Sequence, residues 1–361
     1  MNRKRALYRY ELENMKWFFV AGVGCCLFVL FLFNSTCREM SSIMEYAGFE
    51  SRYASFSSIL IEGLQRCTPL ALFALAIMVT FQFSDYHKRR RREYIVSLPY
   101  TQRERFVAKL VTGASILTIV CALFGVGIFF LRNIYFQSYV KSYMLYPQYR
   151  IFCGNDTWFH VLRTILLLWI ILLTAYAMFT LVHSLVAGGV MASLISLGVL
   201  ATPFYLWNMI YIYIDFFASD LVSSGRRGHD FLQICASFIG FGYYKNTVDL
   251  EYGRNFAICI DYGPLWLVFL VQIVVLIVCT VVAAILNAKQ DGAKFGVLIP
   301  VSWARAFFSA GIALCFSFPL ALLIAFCLGI DGFGIAVAVL QAIWTVVLYF
   351  VNQKIFQRVI R

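Results

Sequence analysis

Seven charge-free apolar runs dominate this chain, at 17–37, 67–84, 110–131, 164–214, 262–288, 306–330 and 332–353. A helix needs about 20 consecutive apolar residues to cross a bilayer. Six runs suit one helix each. The run 164–214 is too long for a single crossing and predicts two helices joined by a short turn, at His183-Ser184 or at Gly188-Gly189. The expected fold class is therefore an all-α polytopic membrane protein with about eight transmembrane helices. Composition agrees, with 61% hydrophobic and 13% charged residues among 361 and a mean hydropathy of +0.79. Soluble domains carry about 25% charged residues. A soluble enzyme, a disordered chain and a receptor with a single anchor are excluded.

Charge then orients the spans. Thirty Lys and Arg against eighteen Asp and Glu leave a net charge of +12. With both termini in the cytoplasm, the inner segments 1–16, 85–109, 289–305 and 354–361 hold 19 Lys/Arg in 66 residues. The outer segments 34–56, 132–163 and 215–261 hold 10 in 102. Membrane proteins concentrate cations on the cytoplasmic side, so the bias places N- and C-termini there. It also explains the net charge through topology, so no nucleic-acid partner is expected. The first apolar run ends at Asn34-Ser35-Thr36 without a small-x-small cleavage site and reads as a retained anchor. Before it, Tyr8, Leu12 and Met15 recur at helical spacing among Arg3, Lys4, Arg5, Arg9 and Lys16. Segment 1–16 is therefore expected to be an amphipathic helix on the inner leaflet, in contact with membrane lipid. The long outer segment 215–261 carries its own apolar patch, Phe231 to Tyr244, and reads as a lid or a re-entrant loop.

Chemistry at depth is sparse. Most cysteines fall in apolar runs, where a thiol behaves as a small hydrophobe. Cys37, Cys153, Cys235 and Cys259 fall in or beside the outer segments, with any pairing among them left open. No CxxC pair occurs and the four histidines are scattered, so no metal and no cofactor is expected in this chain. Gly-x-Ser-x-Gly, HExxH and P-loop motifs are absent, which predicts that the chain is not an enzyme and hydrolyses no nucleotide alone. Glu62 and Arg66 stand four apart, in the order that lets them pair along one helix face. They form either an interfacial salt bridge or an outer gate.

The informative segment lies between the second and third runs. A basic stretch, Lys88 to Arg92, leads into Glu93-Tyr94-Ile95-Val96-Ser97-Leu98-Pro99-Tyr100-Thr101-Gln102-Arg103-Glu104. Pro99 ends the preceding element. Thr101 and Glu104 have capping-box spacing, so a new helix starts at Thr101 and runs into the third span. Tyr94, Ile95 and Leu98 form an apolar face on a short cytosolic element, and such a face needs a partner.

Arg92 to Glu104, followed by Lys109 opening a span, resembles the signature of type-two ATP-binding-cassette (ABC) permeases. In that family a Glu, an apolar pair, Leu-Pro and a Ser/Thr cap lie between spans two and three. The resemblance implies a six-span core, 17–288, with 85–109 as its cytoplasmic coupling element. It implies pairing with a second permease, identical or related, and with two cytosolic ATPase subunits, which bind the ATP and magnesium. Carried over, Glu93 is the polar anchor of the docking surface, Tyr94, Ile95, Leu98 and Pro99 are its face, and Thr101 and Glu104 are its cap. Segment 289–361, a loop plus two further spans and a basic tail, departs from the six-span core. After Asn287-Ala288-Lys289-Gln290-Asp291-Gly292 it resembles a subset from Gram-positive bacteria linked to antibiotic or cell-envelope stress, although Asp291-Gly292 stands where Glu-x-Gly is expected. The expectation is a coupling-helix permease in a bacterial plasma membrane, exporting an amphipathic, lipid-like or peptide/antibiotic substrate. Two other classes stay open: a membrane-embedded transferase or protease, needing His160, His183 or Glu62 to converge, and a signalling or scaffold subunit that transports nothing.

Overall fold

The computed structural model describes residues 3–46, 56–84, 99–145, 158–217, 265–289, 299, 301–328 and 334–357. Among these residues there are eight long helices and no strand: α1 Arg3–Tyr46, α2 Phe56–Gln82, α3 Gln102–Leu145, α4 Trp158–Leu185, α5 Gly189–Phe217, α6 Leu265–Lys289, α7 Ser302–Cys327 and α8 Ile335–Gln357. In hydrocarbon every backbone polar group must be satisfied within its own segment or barrel, which explains helices throughout.

Six of the eight are long and apolar enough to cross a membrane: Arg5–Glu39, Gln102–Tyr135, Trp158–Leu185, Leu267–Asn287, Ser302–Cys327 and Ile335–Gln357. Helix α5 bends by 41° between Gly189–Pro203 and Asn208–Ile214. Pro203 stands at that break and removes a backbone donor from the ladder. The apolar part of α2, Arg66–Gln82, is shorter than the six. The chain is thus an all-α, multi-pass membrane protein. Of these six, α4 is the most enclosed, with 83% of its most apolar window buried, against 11% for α1 and α8.

The long run 164–214 does divide into two helices, α4 and α5. Of the two candidate turns, the chain uses the glycines: His183 and Ser184 stay helical, and Gly188 turns with φ 128. A side chain is strained at that φ, whereas glycine has no Cβ to clash.

Residues from Arg3 onward form the first turns of α1, unbroken into its apolar run. Its buried stripe is Leu7, Glu11 and Met15, while Leu12 is exposed. Met15 of the predicted apolar face lies on that stripe, whose centre is a carboxylate, Glu11.

The helices contribute to two compact units, 1–75 with 107–174 and 240–275, and 76–106 with 175–239 and 276–361. In the first unit α1 and α3 run in the same direction. Glu11 meets Lys109, Gly22 faces Val120, Leu30 faces Gly127 and Asn34 meets Tyr135, in ascending order on both helices. Helix α4 runs opposite to α3, since Trp169 bonds Thr118 and Trp158 stacks on Phe129. In the second unit α7 and α8 form an antiparallel hairpin, with Ala321, Ala325 and Val337 as one small core. A larger core joins Val182, Leu185, Val186 and Ala192 at the α4–α5 turn to Ala304 and Phe308 of α7 and to Phe356 of α8.

Candidate functional site

The start of α3 is built by short-range hydrogen bonds. Glu104 Oε2 accepts from the backbone N–H of Thr101 at 3.0 Å, and the Thr101 hydroxyl accepts from the N–H of Glu104 at 3.2 Å. This reciprocal pair satisfies donors that a helix start leaves orphaned. One residue on, Arg105 Nη2 donates to the carbonyl of Tyr100 at 2.6 Å, tying the segment before the cap to the first turn of α3. Arg105 is buried while Pro99 and Thr101 are exposed. Tyr100 and Thr101 are thus tied by hydrogen bonds to the first turn of α3. Glu93, Tyr94, Ile95 and Leu98 lie outside the described residues, as does the basic run Lys88–Arg92.

Behind that joint, in the same unit, the end of α2 is held by aromatic packing and by a buried polar network. The Phe83 ring lies 6.4 Å from that of Phe106 at the start of α3 and 6.0 Å from the His183 ring on α4. Tyr176 donates to Gln82 Oε1 at 3.0 Å. On α4, Thr180 donates to the carbonyl of Tyr176 and Ser184 to that of Thr180, both at 2.8 Å. Ser184 in turn accepts from Asn287 Nδ2 of α6 at 2.6 Å. Thr80 of α2 and Ser193 of α5 share a further hydroxyl contact. Gln82, Tyr176, Thr180, His183, Ser184 and Asn287 are all buried. Polar groups are costly in such surroundings unless each finds a partner, and these tie α2, α4, α5 and α6 together.

The first unit holds a buried ion pair that the apolar runs do not reveal. Lys109 Nζ lies 3.3 Å from Glu11 Oε2, with both side chains only 4% exposed. Arg132 is also buried, its guanidinium 4.4 Å from the centre of the Trp158 ring, a cation–π contact. Neither the pair nor Arg132 lies inside a charge-free run, because α1 and α3 extend well past their apolar cores. A signal was present in the sequence: a lone Glu on the otherwise apolar stripe Leu7, Glu11, Met15 needs a cation opposite.

Arg66 is an exposed residue of α2, and the side chain of Glu62 lies outside the described residues. His160 belongs to the first unit, where its Nδ1 lies 3.1 Å from Arg163 Nη2, and His183 belongs to the second. Among the described residues no three His, Cys, Asp or Glu side chains group as metal ligands. The C-terminal pair is joined to α5 by polar contacts: Tyr213 to Gln341, Gln341 to Met209, and Thr202 to Cys315.

No family model, no characterised protein and no solved structure matches the chain.

Proposed function

We propose that this chain is the permease subunit of an ATP-driven ABC transporter, an exporter of an amphipathic, lipid-like or peptide/antibiotic substrate in a bacterial plasma membrane. Its eight helices serve as eight spans with both termini in the cytosol. A second permease, identical or related, completes the pathway, and two cytosolic ATPase subunits bind ATP and magnesium. Those subunits dock on 93–104, where Glu93 anchors and Tyr94, Ile95, Leu98 and Pro99 form the face.

The observation that carries this reading is the joint at Thr101 and Glu104. A docking element transmits force only if its connection to the spanning helix cannot swivel. The reciprocal cap and the Arg105–Tyr100 bond supply that stiffness where the element meets α3. ATP-driven closure of the ATPases would then push on the element and reorient the spans around a shared cavity.

The test is affinity purification of the tagged full-length chain from its native membrane. An ATPase bearing a P-loop is expected to co-purify, and nucleotide hydrolysis is expected only in the assembled sample. Specific ATP hydrolysis by the chain alone, or a wild-type sample lacking any ATPase, overturns the proposal.

A further inference from the structure

The seam between α1 and α3 is closed along its length. At one end stands the buried Glu11–Lys109 pair, at 3.3 Å. At the other, Tyr135 donates to Asn34 Oδ1 at 2.9 Å. Between them Gly22 and Gly127 leave room for the side chains of Val120 and Leu30 on the facing helix. A Cβ on Gly22 would lie 3.2 Å from Val120 Cγ2, and one on Gly127 would collide with Leu30. Small residues at a helix contact give the close packing that holds membrane helices together, where no hydrophobic drive exists between them.

This geometry opposes sliding. Moving α3 along α1 would separate Glu11 from Lys109 and leave two charges buried without each other, a strongly unfavourable state. An apolar pair at the same place would pack as well, but sliding it would strand no buried charge. Helix α3 also begins at Gln102, directly after its cap Thr101.

Building on the transporter reading, we propose that Glu11 is a positioning residue. Through Lys109 it makes α1 and α3 one rigid body, so a displacement delivered at the start of α3 is carried by α1 as well. The pair stays closed throughout the cycle.

The experiment uses the full-length chain with the ATPase that co-purifies with the wild type. Glu11→Gln keeps the ATPase on the affinity column but lowers the permease-stimulated hydrolysis rate about five-fold, the change produced by roughly 1 kcal/mol of coupling. The charge-swapped double variant, Glu11→Lys with Lys109→Glu, restores the rate. A third variant, Gly22→Cys with Val120→Cys, forms a disulfide on oxidation, identified by peptide mass spectrometry, and hydrolyses at the wild-type rate because the helices never need to part. An unchanged rate in Glu11→Gln, or a swapped variant as slow as the single one, overturns the proposal. So does arrest of the 22–120 cross-linked complex, and that arm decides the matter even if Glu11→Gln fails to accumulate. The two readings fail separately: absence of any ATPase in the wild-type sample removes the transporter, whereas absence of the 22–120 disulfide in membranes removes the rigid seam.

Discussion

The hydroxyl of Tyr176 on α4 donates a hydrogen bond to Gln82 Oε1 of α2 at 3.0 Å, with both residues closed off from solvent. Gln82 ends α2. The bond therefore holds the end of α2 against α4. Tyr176→Phe deletes the donor and keeps the ring. The expected cost is about 1 kcal/mol, typical of a hydrogen bond between membrane helices. Thermal unfolding in detergent is the measurement, and a midpoint equal to that of the parent would mean the bond carries no net stability.

The cap at the start of α3 yields a ranked prediction. Thr101→Ala is expected to cost about 1 kcal/mol of helix start and to loosen the joint, so ATPase capture weakens mildly. Glu93→Ala is expected to be worst, because a charge-assisted bond is worth roughly 1.5–3 kcal/mol, or at least about ten-fold in docking. Arg90→Gln is expected to be nearly silent, since an exposed charge in a run has neighbours that replace it and is screened within about 8 Å. Capture of the ATPase on each immobilised variant reads the order. If Arg90→Gln loses the ATPase while Glu93→Ala keeps it, the basic run is the contact and the face at Tyr94, Ile95 and Leu98 is not.

Two glycines of the first unit separate packing from propensity. Gly127→Ala places a Cβ against Leu30, so Leu30 must change rotamer or α1 must retreat from α3. Overpacking of this kind costs about 1–3 kcal/mol. Gly24 on α1 meets nothing within 4 Å, so Gly24→Ala is expected to be neutral or to stabilise by about 0.5–1 kcal/mol. Melting curves of the two variants should move apart; coincident curves would place the α1–α3 contact elsewhere.

The α4–α5 turn depends on one backbone conformation. At Gly188, with φ 128, any side chain is strained, by roughly 1–3 kcal/mol. Gly188→Ala should lower the melting point, while Gly198→Ala on α5, where a Cβ meets open space, should not. Equal behaviour of the two would show that the turn tolerates a second geometry.

Sidedness is open to a chemical test. A single cysteine at position 90 should resist a membrane-impermeant thiol reagent in intact cells and react once the cells are permeabilised. Labelling in intact cells would reverse the orientation drawn from the Lys and Arg distribution.

How much of this was legible beforehand follows from the range of each interaction. Charge-free runs place the helices because a bilayer tests every residue of a span locally. The start of α3 is equally local: a Thr and a Glu three residues apart on one chain suffice to form their own cap. For the α4–α5 turn, local reading left two candidates, and only the folded chain keeps His183 and Ser184 helical while Gly188 turns. Choice of partner is not local at all. Glu11 looks like one acidic residue in a basic tail until α1 and α3 are seen side by side in the same direction, which brings it to Lys109. Gln82 and Tyr176, Ser184 and Asn287, and Leu30 and Gly127 likewise lie far apart in the chain. Each side chain is compatible with many neighbours, and only the packing of helices selects one. Sequence alone therefore determined a multi-pass helical membrane protein with a capped start to α3. Tertiary structure decided which helices are locked together, because a buried charge or hydroxyl reveals its role only through the group that balances it.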